Sequence, residues 1–268
     1  MFGIEPEKLN ELHKRAREVE KGFTAEFNEV IERYDAALSS VENAFDLSSE
    51  IAILFNYPDF GPIGLKRSNP RRIFMGYCFH EEPLDERYRE VLSQHASFGP
   101  KILIVMGTFL SYRDDVIERC IRGCKEEFPE SLVVVGCGVG AKRLKRLPYE
   151  GLIAEEFVPQ KALLPHVDLV IHHGGSNSFT EALFYSRPMV ILPFSSDQFD
   201  IVRDTEVHGI GTVLPPNSFS TGDFRKALRT AFSAKYKDAL SRWSEHIRNR
   251  GPRYAVKKLL SSVSPSAD

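Results

Sequence analysis

The pattern of apolar and polar positions divides the chain into a helical start and a longer region in which strands and helices alternate. From Lys101 onward, short and mainly apolar runs alternate with stretches of helical spacing; the runs are KILIVMG, SLVVVG, LIAEEF, DLVIHH and PMVILP. Strands of this kind are typical of a parallel sheet that helices cover on both faces. The pattern therefore predicts an α/β fold with a doubly wound parallel sheet.

The flanking regions have a different pattern. Residues 5–35 carry apolar side chains three and four positions apart among charges, which predicts surface-packed helices. A short apolar run, IAILFN, is followed at 57–72 by three prolines and two glycines, which predict a long irregular connection. We expect a helical extension with short strands over 1–97, the α/β domain over 98–250, and a C-terminal helix and tail over 251–268.

Composition narrows the classes of function. The 35 basic and 37 acidic residues give a formal charge of −2, so bulk electrostatics does not indicate binding to nucleic acid or an anionic membrane. No stretch approaches the roughly 18 consecutive apolar residues of a membrane span, and the charged start has no apolar signal region. These features predict a cytoplasmic protein. The cysteines have no C-x-x-C spacing and are expected to be inert reduced thiols: Cys78, Cys120, Cys124 and Cys137.

The segment LVIHHGGSNSFTEALFYSRP places two histidines and two glycines where an apolar strand becomes a helix. Gly174 and Gly175 allow close backbone approach, and the unpaired N–H groups of the first helical turn attract an anion such as a diphosphate. His173 can add a hydrogen bond or partial positive charge. Three further side chains can act as donors: Ser176, Asn177 and Ser178.

A structural interpretation of the same residues stays open. Ser178 and Glu181 match a capping box, in which the two side chains only satisfy backbone donors at the helix start. His172 is expected to serve packing or a structural hydrogen bond.

Three other strand ends share this edge of the predicted sheet. Asp197 and Gln198 can hold vicinal hydroxyls of a sugar, although Asp197 also suits a simple helix cap. Thr108, in MGTF, offers a phosphate contact at what is otherwise an ordinary turn. Phe157 and Gln160, in FVPQ, suit stacking on a flat base and binding its edge, whereas Phe157 alone would suit core packing.

Taken in order, MGTF, FVPQKALLPH, HHGGSNSFTEAL, RPMVILPFSSDQFD and HGIG resemble the nucleotide-sugar half of a GT-B glycosyltransferase. The family is the one that contains the macrolide glycosyltransferases and the UDP-glucuronosyltransferases. The resemblance is strong over about 98–250 and weaker over 20–97, which resembles the end of the first domain and its linker. It implies a UDP- or TDP-sugar donor, transfer of a hexose to a small-molecule hydroxyl, and no metal or further cofactor.

The resemblance also implies residue roles. Phe157 occupies the position of a tryptophan that stacks on uracil, with Gln160 near the base or ribose and Glu181 on the ribose hydroxyls. Asp197 and Gln198 would hold the donor sugar. The diphosphate would be held by a larger set: Thr108, His173, Gly174, Gly175, Asn177 and Ser178. Retaining enzymes of the GT-B class carry a glutamate eight residues before the second glutamate, where this chain has His173, so the resemblance favours inversion.

The sequence departs from the family in its first part, because residues 1–97 supply neither a βαβ series nor the histidine that serves as catalytic base. His13 lies in a charged helical stretch and is expected to be solvated. No residue can be named as the base, so it is uncertain whether the chain alone is an enzyme. Three interpretations remain: a fragment that keeps donor binding, one subunit of a split transferase with an acceptor-domain partner, or a non-catalytic interaction or activator module. A GT-B epimerase, whose chemistry also needs both domains, is a fourth. Apolar side chains that are exposed on the terminal helices would allow the chain to associate into homo-oligomers.

Overall fold

The computed structural model describes residues 5–34, 40–44, 52–60 and 71–263. Contacts group the chain into two compact units, one of Met1–Ile53 with Ser68–Arg71 and one of Leu54–Arg67 with Arg72–Asp268. Most of the predicted irregular connection, at 61–70, and the end of the tail, at 264–268, lie outside the described residues. Residues 72–97, which we placed with the extension, group with the α/β unit.

The first unit is built on one long helix, α1 (Pro6–Tyr34), as the helical spacing predicts. Residues 40–44 return along one face of this helix. The side chain of Asn28 donates to the carbonyl of Val41 and accepts from its N–H, both over 2.9 Å. Thr24 is buried beneath the same segment and accepts from the N–H of Ala44 over 3.1 Å.

The described strands form two sheets, a two-stranded sheet of β1 and β2 and a six-stranded sheet in the order β5-β4-β3-β6-β7-β8. Every neighbouring pair in the larger sheet is parallel, which confirms the predicted sheet. The strands are β1 (Ala52–Phe55), β2 (Arg71–Phe74), β3 (Lys101–Val105), β4 (Leu132–Gly136), β5 (Leu152–Glu155), β6 (Leu169–His172), β7 (Met189–Ile191) and β8 (Thr212–Val213).

Helices follow the strands of the larger sheet and pack on both of its faces. They are α2 (Glu86–Gln94), α3 (Gly107–Leu110), α4 (Asp114–Glu127), α5 (Ala141–Leu144), α6 (Gln160–Leu163), α7 (Ser176–Phe184), α8 (Gln198–His208), α9 (Thr221–Ala231), α10 (Ala234–Arg248) and α11 (Pro252–Val263).

The two faces of the sheet bury separate apolar cores, because alternate residues of a strand point to opposite sides. On β3, Leu103 packs in one core with Phe179 of α7 and Leu240 of α10. Its neighbour Ile104 packs in the other core with Ile117 of α4 and Phe224 of α9. This arrangement confirms the doubly wound fold class.

Three of the four cysteines are buried, as expected for core thiols. Cys120 and Cys124 on α4 are fully buried, and burial raises the pKa of both thiols well above its ordinary value. Burial also raises the pKa of Cys137 to about 11, whereas Cys78 is exposed. The three buried thiols are therefore protonated at neutral pH.

Of the helices that the structure describes, none combines the length and the apolar character needed to cross a bilayer.

Candidate functional site

The central crevice lies between the carboxyl ends of β3 and β6. These strands are adjacent, with Val105 paired to His172. From β3 the chain continues towards β4 and β5, whereas from β6 it continues to β7 and β8 on the other side. Loops that leave two adjacent strands in opposite directions open a crevice beyond the sheet edge, where open α/β sheets bind ligands.

His172 shapes the loop that follows β6. Its side chain is fully buried, and its Nδ1 accepts a hydrogen bond from the N–H of Gly174 over 3.1 Å. Burial, and to a lesser degree the neighbouring His173, lowers the pKa of His172 to about 3. The ring is therefore neutral and holds Gly174 at φ +88, a conformation that favours glycine. The predicted structural role of His172 is confirmed.

The imidazole of His173 fills the space between two glycines of the crevice. A Cβ atom on Gly107 would lie 2.7 Å from Cε1 of His173, and one on Gly175 would overlap its Nε2. Burial lowers the pKa of His173, while the charge of Asp197 opposes this shift. His173 is thus mainly neutral at pH 7 and offers one N–H donor, rather than the partial positive charge that we considered.

Helix α7 begins directly after the two glycines, at Ser176, and Gly175 occupies its N-cap without a side-chain hydrogen bond. Its first-turn N–H groups lack intrahelical acceptors, and the positive end of the helix dipole lies at the same place. Ser178 is the third residue of the helix, so the capping box that would start at Ser178 is not formed. The geometry suits an anion at the mouth of the crevice.

A hydrogen-bonded network joins the loop after β5 to α7. Nε2 of Gln160 donates to Oε2 of Glu181 over 2.6 Å and to Oγ of Ser178 over 3.2 Å. Glu181 is 9% exposed, and burial raises its pKa against the opposing effects of the Gln160 hydrogen bond and Lys161. These three sequence-predicted residues therefore act as one group, which presents amide and carboxylate atoms at this edge of the sheet.

Asn56, which the sequence analysis did not identify, contacts the start of α7 from the segment after β1. Its Nδ2 donates to Oδ1 of Asn177 over 2.9 Å, and its carbonyl accepts from Oγ of Ser176 over 3.2 Å. Asn56 and Asn177 are 121 positions apart, so no local pattern could have shown the pair. The segment after β1 thus orients the side chains of Ser176 and Asn177, two of the predicted polar residues.

The loop after β7 is stabilised by its own glutamine. Oε1 of Gln198 accepts from the N–H of Phe194 over 2.7 Å and from that of Ser195 over 3.2 Å. The amide oxygen therefore orders the loop, and only the NH₂ group remains available for a ligand. Asp197 is exposed at the N-cap of α8 and makes no side-chain capping bond, so the simple capping role is absent.

A cavity of 510 Å³ opens beside the starts of α7 and α8, and Ser176 and Asp197 both line it. Four aromatic side chains form its apolar part: Phe55, Tyr57, Phe60 and Phe74. Tyr57 donates a hydrogen bond from its hydroxyl to Oδ2 of Asp204 over 3.1 Å and stacks on Phe179. Burial, reinforced by Asp204, raises the pKa of Tyr57 far above its ordinary value, so the hydroxyl stays protonated.

Two predicted residues stand apart from these contacts. Phe157 is 81% exposed in the loop after β5, so the core-packing interpretation is wrong and its ring faces solvent. Thr108 is exposed in the first turn of α3. Both follow the carboxyl ends of strands, Thr108 after β3 and Phe157 after β5. In the described part of the chain, no three metal-binding side chains come together.

Comparison with known proteins identifies the relatives of this fold. Residues 125–252 match the family described as UDP-glucoronosyl and UDP-glucosyl transferase. The demethyllactenocin mycarosyltransferase of Streptomyces fradiae is 27% identical over 224 residues, which covers 80% of this chain and 46% of that protein.

Solved glycosyltransferases have the same fold. The calicheamicin glycosyltransferase CalG4 aligns with a TM-score of 0.66 at 19% identity, covering 91% of this chain and 59% of that one. The spinosyn rhamnosyltransferase SpnG, complexed with thymidine diphosphate, aligns with a TM-score of 0.54 at 25% identity, covering 61% of this chain and 45% of that one. The predicted resemblance to GT-B glycosyltransferases is confirmed, in sequence over 125–252 and in fold. The chain spans about half the length of the curated relatives that it matches.

Proposed function

Because residues 125–252 match this transferase family, we propose that the chain binds a UDP- or TDP-sugar as the donor half of an inverting glycosyltransferase. The observation that carries the proposal is the uncapped start of α7, which lies directly after the Gly174–Gly175 pair at the point where the sheet reverses its strand order. A diphosphate is the ligand that such a helix start suits best.

The diphosphate is held at the crevice by backbone and side-chain donors. The first-turn N–H groups of α7 and the N–H of His173 face the developing charge of the leaving group, with Thr108 across the crevice. A neutral imidazole donates without bringing a buried charge that would have to be desolvated. The remaining members of this set are Gly174, Gly175, Ser176, Asn177 and Ser178.

The nucleoside lies along the loop after β5. The exposed ring of Phe157 stacks on the base, since a flat aromatic face has no other partner there among the described residues. Glu181 accepts hydrogen bonds from the ribose hydroxyls, while Gln160 orients the carboxylate over 2.6 Å. These roles follow the family resemblance, and the contact between Gln160 and Glu181 supports them.

The donor sugar lies at the mouth of the 510 Å³ cavity, which Asp197 lines. Asp197 binds its hydroxyls, and the NH₂ group of the adjacent Gln198 is the second donor-sugar contact of the proposal. The aromatic wall of that cavity suits an apolar small-molecule acceptor. In the transfer, the acceptor oxygen forms a bond to the anomeric carbon while the bond from that carbon to the diphosphate oxygen breaks. The diphosphate leaves with the electron pair, and the acceptor proton passes to a general base.

We name no residue of this chain as that base. The base and the rest of the acceptor site are supplied by a further domain or a partner subunit, and residues 1–97 correspond to the end of that acceptor-side domain. The domain limits of 98–250 for donor binding and 251–268 for the last helix are part of the same proposal.

The test is calorimetric titration of the full chain with UDP and with TDP, beside His173→Ala. Removing the one imidazole donor is expected to weaken binding about tenfold, or about 1.4 kcal/mol. His13→Ala, on an exposed position of α1, is the control and should leave affinity unchanged. Failure of both nucleotides to bind would overturn the donor-site proposal and favour a non-catalytic interaction or activator module.

A further inference from the structure

Two hydrogen bonds join the segment after β1 to the first turn of α7, where the proposed diphosphate site lies. Nδ2 of Asn56 donates to Oδ1 of Asn177 over 2.9 Å, and the carbonyl of Asn56 accepts from Oγ of Ser176 over 3.2 Å. Ser176 and Asn177 are the first two residues of α7. Asn56 therefore contacts the side chains of residues whose own N–H groups lack intrahelical acceptors.

The hydrogen bond from Asn56 decides which end of the Asn177 amide is available to a ligand. An asparagine side chain has an oxygen that accepts hydrogen bonds and an NH₂ group that donates two. Because Oδ1 of Asn177 is bonded to the NH₂ group of Asn56, the end that remains is the NH₂ group of Asn177 itself. A diphosphate accepts hydrogen bonds and repels a carbonyl oxygen, so this orientation of the amide is the one that suits the ligand.

The hydroxyl of Ser176 has the opposite character. It has one proton, and this proton is used in the bond to the carbonyl of Asn56. The hydroxyl oxygen keeps only acceptor positions, which do not suit an anion. Of these two neighbouring side chains, Asn177 is thus the donor, whereas Ser176 serves through its backbone N–H.

The residues on either side of Asn56 hold it in place. The ring of Tyr57 stacks on Phe179 with the centroids 5.4 Å apart, and the ring of Phe55 stacks on Phe74 at 5.0 Å. The amide of Asn56 therefore projects from a backbone that packing fixes on both sides. A side chain supported in this way can orient a neighbouring group precisely.

The stability of the fold does not account for the amide of Asn56. Its Oδ1 is buried and has no hydrogen-bond partner among the described residues. A buried acceptor without a partner destabilises the folded state, because its hydration is lost and not replaced. Removing the amide should therefore change the free energy of unfolding little, since loss of the bond to Asn177 and removal of the unpaired oxygen act in opposite directions.

We propose that Asn56 is a positioning residue of the donor site, which fixes the Asn177 side chain with its NH₂ group available to the diphosphate. The inference rests on the proposed function and deepens it. Asn56 acts through Asn177 and does not touch the ligand. A residue of the acceptor-side part of the sequence thus completes the anion site of the donor domain.

The first experiment is calorimetric titration of the full chain with UDP and with TDP, arranged as a double-mutant cycle. Asn56→Ala keeps the backbone carbonyl that accepts from Ser176 and removes only the amide. It should weaken binding of both nucleotides about fivefold, and Asn177→Ala should weaken it about tenfold. The double variant should bind no more weakly than Asn177→Ala alone, because Asn56 then has no side chain to position.

Asn28→Ala is the matched control. Asn28 is half-buried like Asn56 and also makes two hydrogen bonds, both to Val41 in the first unit. Asn28→Ala should lower the free energy of unfolding and leave nucleotide affinity unchanged, whereas Asn56→Ala should lower affinity with little change in stability. Circular dichroism and urea unfolding verify that each variant folds.

A ligand without phosphate groups separates positioning from a general structural role. Asn56→Ala should leave the affinity for uridine unchanged when ligand-observed NMR measures it. An equal loss for uridine and UDP would overturn the inference, as would unaltered nucleotide binding by Asn56→Ala or additive losses in the double variant. In those cases nucleotide binding by the wild type leaves the donor-site proposal standing, whereas a wild type that binds neither UDP nor TDP would overturn both.

Discussion

Nε2 of Gln160 lies 2.6 Å from Oε2 of Glu181 and donates a hydrogen bond to it, joining the loop after β5 to the helix after β6. The carboxylate is held in place but keeps a second oxygen, since Gln160 occupies only one. Burial raises the pKa of Glu181, so the amide donor helps to retain its ionised form. This contact makes Glu181 the best-defined hydrogen-bond acceptor of the proposed nucleotide site.

Glu181→Ala is therefore expected to weaken UDP binding about tenfold, the cost of one charged hydrogen bond. TDP should lose less, because its deoxyribose lacks one of the two hydroxyls. Calorimetric titration with both nucleotides measures the difference. Glu206→Ala removes an exposed carboxylate of α8 and is the control; an equal loss in that variant would contradict the role of Glu181.

Gly175→Ala should weaken nucleotide binding in the crevice through a steric clash. Its methyl group would overlap Nε2 of His173, so the ring must move away from the diphosphate. We expect a loss of nucleotide affinity of at least about tenfold, and a destabilisation of about 1–3 kcal/mol from overpacking. Titration and urea unfolding measure the two effects.

The control for that change is Gly222→Ala in α9, where the nearest atom to an added Cβ is 3.6 Å away. There alanine should leave affinity unchanged and raise stability slightly through its helix propensity. Unaltered binding by Gly175→Ala would show that the His173 position is unimportant for the ligand.

Substituting Phe157 should weaken nucleotide binding without changing the free energy of unfolding. Its ring is 81% exposed, so Phe157→Ala is expected to change the free energy of unfolding by no more than about 0.5 kcal/mol. Loss of base stacking should cost about 1–3 kcal/mol of nucleotide affinity, and Phe157→Trp should keep or increase it. A Phe157→Ala variant that unfolds more easily but binds the nucleotide as the wild type does would show that the ring packs in the fold and does not contact the base.

Stability should fall as the pH drops below about 6.5. The pKa of His172 is about 3 in the folded chain and about 6.5 when unfolded, so the unfolded state binds the extra proton between these values. Above pH 6.5 the ring is neutral in both states, and protonation does not reduce the free energy of unfolding. Below pH 6.5 the free energy of unfolding falls by up to about 1.4 kcal/mol per pH unit, or about 2 kcal/mol by pH 5.

Urea unfolding at pH 7 and pH 5 measures this slope. His172→Asn keeps an acceptor for the N–H of Gly174 and does not titrate, so it should be less stable at pH 7 yet lose less on acidification. The same decrease in both proteins would assign the pH dependence to other groups.

Local sequence patterns determined the architecture of the α/β domain. The runs ILIV and LVVVG have no polar side chain on either face, which is typical of a strand covered on both faces. The HHGG junction marked the crevice because glycine and helix-start chemistry are local properties. The family resemblance rested on the order of five such segments. The two-residue strand β8 was missed, because so short a segment carries no periodicity.

Tertiary structure decided how the site residues are used. Asn56 reaches Asn177 across 121 positions, and Gln160 reaches Glu181 across the sheet edge, through contacts that exist only once these separate elements are packed together. It also placed the start of α7 at Ser176 rather than at a capping box, and turned the oxygen of Gln198 towards its own loop. Periodicity reports which face of an element is buried, whereas hydrogen-bond partners are set by the packing of elements that are distant in sequence.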